Sequence, residues 1–179
     1  MTPEDDLIEF AARFARTAAV DDRTGFGNLL QFLRDLAREL ARARRTKQPL
    51  DLVVFQVGTD MDVSQVAARM RRFLREEDAV ARIGSHRFAV IISDSGSGQG
   101  QRAARLLEDG LRELGPFSLG RRVVRPDDLA TATPLQFLQD ATAALRGARA
   151  LGRDGVVTWQ GETRWVSSPI PLKRRFVSR

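Results

Sequence analysis

A pair of short apolar runs joined by a four-residue polar turn constrains this chain more than any other feature. Residues 79–83 and 88–92 are each one strand long, and Gly84, Ser85, His86 and Arg87 between them suit only a tight hairpin. Adjacent strands joined this way, with helical patterns on either side, predict an α/β sandwich. Its central sheet is mixed, largely antiparallel and flanked by helices.

The helices come from periodicity. Thr2-Pro3-Glu4-Asp5 is a helix start, and Leu7, Ile8, Phe10, Ala11, Phe14 and Ala15 then form one apolar stripe. Residues 21–27 break that helix. A second helix runs from Asn28 to about Arg45, with Leu29, Leu30, Phe32, Leu33, Leu36, Leu40 and Ala43 inward and Arg34, Arg38, Arg42 and Arg45 in water. Further along, a buried strand covers 50–57, a helix 61–75, a polar loop 93–100 and a helix 101–114. A strand at 117–124, a helix at 134–151 and a strand at 155–159 complete the set. This divides the chain into an amphipathic helix (1–20), one domain (21–160) and a basic tail (161–179) carrying Trp165 and Lys173-Arg174-Arg175.

Composition narrows the chemistry. The 179 residues suit one domain with short extensions, and a hydrophobic fraction of 42% supports a buried core. Having no cysteine excludes disulfides, thiolate catalysis and Cys-containing zinc sites, and a single histidine, His86, excludes a metal held by several imidazoles. The N-terminus lacks the pattern of a signal peptide, and no stretch reaches the ~20 apolar residues that span a membrane, so the expected location is cytoplasmic. The formal charge of +6 is nearly all arginine; it is read as compositional, and nucleic acid is not an expected partner.

Several segments, taken in order, resemble the GGDEF family of diguanylate cyclases. Asp22-Arg23-Thr24-Gly25-Phe26-Gly27-Asn28 is similar to the family's D-x-L-T-G-L-x-N. Residues 49–58 resemble the strand that ends in D-x-D, and 78–84 the approach to the signature turn. Residues 88–92 match the strand after that turn, and 144–153 resemble the closing A-L-Y-x-A-K-x-x-G-R. The resemblance spans about 21–159 and implies the nucleotide-cyclase-like GGDEF fold.

It also implies a reaction. Two GTP molecules, each held by one subunit of a dimer, are joined when a 3′-hydroxyl attacks an α-phosphate. Divalent metal ions held by carboxylates of the D-x-D strand and the turn stabilise the charge. Here the strand offers Gln56 and Gly58 at those positions, and the turn reads Gly84-Ser85-His86-Arg87-Phe88. Arginine does not ligate Mg²⁺, neutral imidazole is a poor ligand for it, and Ser85 hinders close backbone approach to phosphate. The loop after Val57 is shorter than the family's; Asp60 and Asp62 are the only nearby carboxylates that could substitute. The expectation is a degenerate turn with no catalytic residue, no metal and no cofactor. Asn28 matches a guanine-reading asparagine, and Arg149 and Arg153 match phosphate-facing residues; a solvated helix end is the alternative for both arginines.

The family often carries a product-binding R-x-x-D before the turn. Arg75-Glu76-Glu77-Asp78 stands there, with five residues between Asp78 and Gly84. An arginine fork donates to O6 and N7 of guanine, and a carboxylate accepts from N1 and N2. The alternative is a surface ion pair of little energetic weight. The arginine that often completes such a site aligns with Leu106, and nearby Arg105 is the candidate. The leading expectation is therefore an inactive GGDEF-like receptor that binds cyclic di-GMP through Arg75, Asp78 and Arg105 and signals to a protein partner. A nucleotide-independent interaction scaffold, with a homodimer as one assembly, is the second reading, and an active cyclase the third.

Overall fold

Asn28 begins the first described helix. Its side chain accepts the Gln31 N–H at 3.0 Å, which satisfies one of the donors that a helix start leaves open. In the computed structural model, which describes residues 19–95, 98–130, 133–152, 155–159 and 165–167, helix α1 (Leu29–Thr46) follows. It ends where Lys47 turns left-handed at φ 57° and returns its N–H to the Ala43 carbonyl. Phe32, Leu36, Leu40 and Ala43 are its buried stripe. Leu29 and Leu30, expected inward, are instead 45% and 52% exposed, because the stripe meets the sheet only from Phe32 onward.

Strand β1 (Leu50–Val57) is buried on both faces. It is followed by α2 (Val63–Met70), β2 (Ala79–Arg82), β3 (Arg87–Ile92) and α3 (Gly98–Leu114). Then come β4 (Phe117–Val124), a 3₁₀ turn (Pro126–Ala130), α4 (Pro134–Ala150), β5 (Gly155–Trp159) and β6 (Trp165–Ser167). The six strands lie in the order β2-β3-β1-β4-β5-β6, and every pair is antiparallel except β4 with β5. The mixed, largely antiparallel sheet and its flanking helices are as the sequence predicts.

Alternation along β1 builds two cores. Leu50, Leu52 and Val54 join Phe32, Leu36 and Leu40 of α1 and Phe137, Ala141 and Leu145 of α4 on one face. Val53, Phe55 and Val57 join Val63, Val66 and Met70 of α2 and Leu107 and Leu111 of α3 on the other. Phe55 and Phe88, paired across β1 and β3, stack with ring centroids 5.2 Å apart.

Three boundaries differ from expectation; the first is that α3 begins at Gly98, inside the loop expected over 93–100. Helix α2 stops at Met70 rather than near Arg75, since the chain tightens there: Arg72 and Phe73 donate to carbonyls only three residues back. Residues 165–167, read as tail, form β6 on the edge of β5. The helix expected over 1–20 lies outside the described residues up to 18. Among the described residues, no helix is long and apolar enough to cross a membrane.

Candidate functional site

The hairpin turn sits at the C-terminal end of β1. The Ile83 N–H bonds the Arg87 carbonyl at 2.9 Å, closing the turn, and the Val57 N–H bonds the His86 carbonyl at 3.1 Å. Register therefore fixes which side chains meet: Gln56 lies directly opposite Arg87. The Arg87 Nη2 donates to the Gln56 Oε1 at 3.4 Å, and its Nε is buried without a partner. Gly84 and Ser85 are exposed, His86 is half-buried and Phe88 is in the core.

A hollow of about 210 Å³ opens beside this turn, lined by Gln56, Gly58, Phe117 and, from the end of α4, Arg149 and Gly152. Arg149 is thus at the same end of the sheet as the turn, and exposed. Arg153 lies outside the described residues. Asn28 caps α1 with its side-chain oxygen. Asp62 is likewise engaged as the cap of α2: the Ser64 N–H and hydroxyl each reach its Oδ1 at 2.9 Å and hold its carboxyl below the usual range. Asp60 is exposed in the preceding turn. Among the described residues, no three acidic, histidine or cysteine side chains are grouped so as to hold a metal ion.

Sequence reasoning missed how the turn is held. The Arg82 Nε and Nη2 donate to the Ser85 carbonyl at 3.2 and 2.9 Å, while its Nη1 meets the Asp21 Oδ2 at 2.7 Å. Burial pushes the Asp21 carboxyl up, but the Thr24 hydroxyl and the Arg82 guanidinium outweigh it and hold that carboxyl low. The segment before α1 is thereby fastened to the turn through one guanidinium. The signal available was an acid just before one motif and an arginine just before another.

Arg75 and Asp78 come together where the chain leaves α2 for β2. Asp78 Oδ2 accepts from the Arg75 backbone N–H at 3.0 Å and Nε at 3.4 Å, and its Oδ1 accepts from Nη2 at 3.0 Å. Nη2 also reaches the Ser93 carbonyl at 3.1 Å, and Nη1 meets Glu77 at 2.9 Å. Burial opposes the charge on Arg75, yet Asp78, Glu77 and Asp94 more than restore it and raise the pKa of its guanidinium. The Asp78 side chain is sealed from solvent, whereas that of Arg75 keeps 24% exposure. Arg105 stands on the wall of another cleft, which neither Arg75 nor Asp78 lines.

The family model for the diguanylate cyclase GGDEF domain matches residues 18–154. No curated protein matches the chain. Among solved structures, the chain is similar to the coiled coil and GGDEF domain of DgcB from Caulobacter crescentus in complex with c-di-GMP. The TM-score is 0.71 at 22% identity, over 86% of this chain and 92% of that one. The GGDEF domain of YfiN (TpbB) from Pseudomonas aeruginosa matches at TM-score 0.67 and 23% identity, over 79% and 94%. Diguanylate cyclase SiaD from Pseudomonas aeruginosa, in complex with its activator SiaC, matches at 0.68 and 23%, over 87% and 68%. At these identities the likeness speaks to the fold.

Proposed function

The chain belongs to the diguanylate cyclase GGDEF-domain family, and we propose that it is a member that recognises cyclic di-GMP without making it. It binds that nucleotide at Arg75 and passes the bound state to a protein partner.

The observation that carries the reading is the contrast between the turn and the R-x-x-D segment. The family's reaction calls for divalent cations, which take oxygen ligands. The positions that would hold them carry an amide at Gln56, no side chain at Gly58, an imidazole at His86 and a guanidinium at Arg87. These groups do not fit the ion. A divalent cation ~4 Å from a guanidinium is repelled by about 8 kcal/mol at an effective dielectric of ~20, which no remaining ligand there offsets.

The Arg75 segment, in contrast, keeps its chemistry. Asp78 and the Ser93 carbonyl take up Nε and Nη2, and this fixes the plane of the guanidinium. Nη1 faces Glu77, whose side chain is 56% exposed. A guanine that accepts from Nη1 displaces only that exposed pair, which is worth little. Asp78 then serves as a positioning residue behind Arg75, not as the guanine contact that the sequence suggested. The DgcB structure contains c-di-GMP and the SiaD structure a protein activator, and both kinds of partner suit this reading.

Titration calorimetry with cyclic di-GMP tests it. Binding by the wild type should weaken at least ~10-fold in Arg75→Lys, which keeps a charge for Asp78 but loses the fork. One observation favours the second reading, a nucleotide-independent scaffold: the sealed Asp78 carboxylate. Absence of heat with the wild type, or unchanged affinity in Arg75→Lys, selects the scaffold. Turnover of GTP with Mg²⁺ to cyclic di-GMP refutes the loss of synthesis.

A further inference from the structure

A cleft lies at the opposite end of β1 from the turn, between the sheet and α3. Its volume is about 630 Å³, within the range of ordinary small-molecule sites. Asp51 and Arg121 form an ion pair on its floor, Glu108 and Arg105 come from α3, and Arg125 stands just beyond β4.

Its floor is chemically incomplete. The Asp51 side chain is wholly buried, and its Oδ1 has no hydrogen-bond partner. The Arg121 Nε is likewise buried without an acceptor. A core with no use for these groups would be more stable with apolar residues, since an unsatisfied buried polar atom costs free energy and a buried ion pair seldom repays its desolvation. Burial pushes the Asp51 carboxyl up, against the pull of Arg121 and Ser95; it does the same to Glu108, against Arg112 and Arg121. Of the two carboxyls, Asp51 has the oxygen left without a donor, while Glu108 is paired with Arg112 at 3.6 Å. Asp127 also lines the mouth, where the positive charge is carried by Arg105 and Arg125. The exposed side chains of Arg105 and Arg125 come from different walls, and among the described residues neither has an ion-pair partner.

We propose that this cleft is a ligand site for a small molecule that is anionic at one end and carries N–H donors at the other. The anion lies between Arg105 and Arg125, where paired guanidinium forks suit a phosphate or carboxylate. The donor end reaches the floor, where Asp51 accepts from it after a small side-chain shift and Glu108 flanks it. A nucleoside monophosphate and a free amino acid with a nitrogenous side chain share this chemistry and fit the volume. The site is independent of Arg75 and of the turn.

The test uses the full chain with four probes: GMP, L-arginine, guanosine (donors only) and inorganic phosphate (anion only). Saturable binding of GMP or L-arginine is expected, and whichever binds names the source of the ligand. Guanosine and phosphate should bind at least ~10-fold more weakly than that probe. Arg125→Ala and Arg105→Ala, both on exposed side chains, should each weaken it about 10-fold, whereas Arg75→Lys and Arg149→Ala should leave it unchanged. Because Arg75→Lys separates the two sites, failure here leaves the cyclic di-GMP reading untouched. The proposal is overturned if neither GMP nor L-arginine binds up to ~10 mM. It is equally overturned if binding survives both cleft variants or is lost in Arg75→Lys or Arg149→Ala.

Discussion

Gln56 and Arg87 decide most of the chemistry at the turn, because strand register sets them face to face. Two carboxylates in their place would repel each other and draw in a cation. Gln56→Asp with Arg87→Glu should therefore gain a Mn²⁺- or Mg²⁺-dependent rise in melting temperature that the wild type lacks. At tenfold excess over the dissociation constant the stabilisation is about 1.4 kcal/mol; no metal dependence in the double variant would mean that other residues also block the site. Asp21 supplies a second prediction at this scale. Its carboxyl is held low in the folded state, so its contribution is complete above the usual value of 3.8 and is lost as pH falls through the lower folded value. Asp21→Asn should cost about 1–2 kcal/mol at neutral pH and flatten the acid limb of the unfolding profile. The substitutions in the turn were legible from residue type alone. That Asp78 would be sealed was not, because R-x-x-D spacing gives proximity and says nothing of solvent access.

Helices were legible wherever one apolar stripe met one partner. The recurrence of Phe32, Leu36, Leu40 and Ala43 gave α1, and Thr133-Pro134 marked the start of α4. Their ends were less visible: α2 ends early because the chain after Met70 turns back toward β2, a tertiary demand with no local breaker. Strand β6 went unseen because Trp165–Ser167 is too short to show alternation. One element contact rests on a glycine that the sequence reading passed over. A Cβ at Gly120 of β4 would lie 2.1 Å from the Leu145 nitrogen and 2.3 Å from the Ala141 carbonyl oxygen, both backbone atoms of α4. Gly120→Ala should thus push α4 off the sheet and cost about 2–3 kcal/mol in denaturant unfolding. An unchanged midpoint would show that α4 is less tightly seated.

Over the whole molecule, the two ends of the sheet differ in kind. At one end the turn, Gln56 and Arg149 surround a small hollow. At the other, the buried carboxyl of Asp51 and the half-buried one of Glu108 carry pKa values raised by desolvation. Between the usual carboxylate value and the raised one, the folded chain binds more protons than the unfolded chain, so these groups make stability fall as pH rises through that window. Glu108→Gln should accordingly be at least as stable as wild type near pH 7, with the difference vanishing near about pH 4; a large loss at pH 7 would show that Arg112 and Arg121 outweigh burial. The sandwich could be read from the order of elements, but the cleft could not, since it joins residues 51, 108, 121 and 125 that share no motif. The central claim is that cyclic di-GMP is recognised beside Arg75 and not made at the turn. Backbone amide NMR during a cyclic di-GMP titration tests it most directly. Shifts centred on residues 75–79 and Ser93, with Ser95, His86 and Arg149 unmoved, are the expected result. Shifts centred on the turn, or none at all, would contradict it.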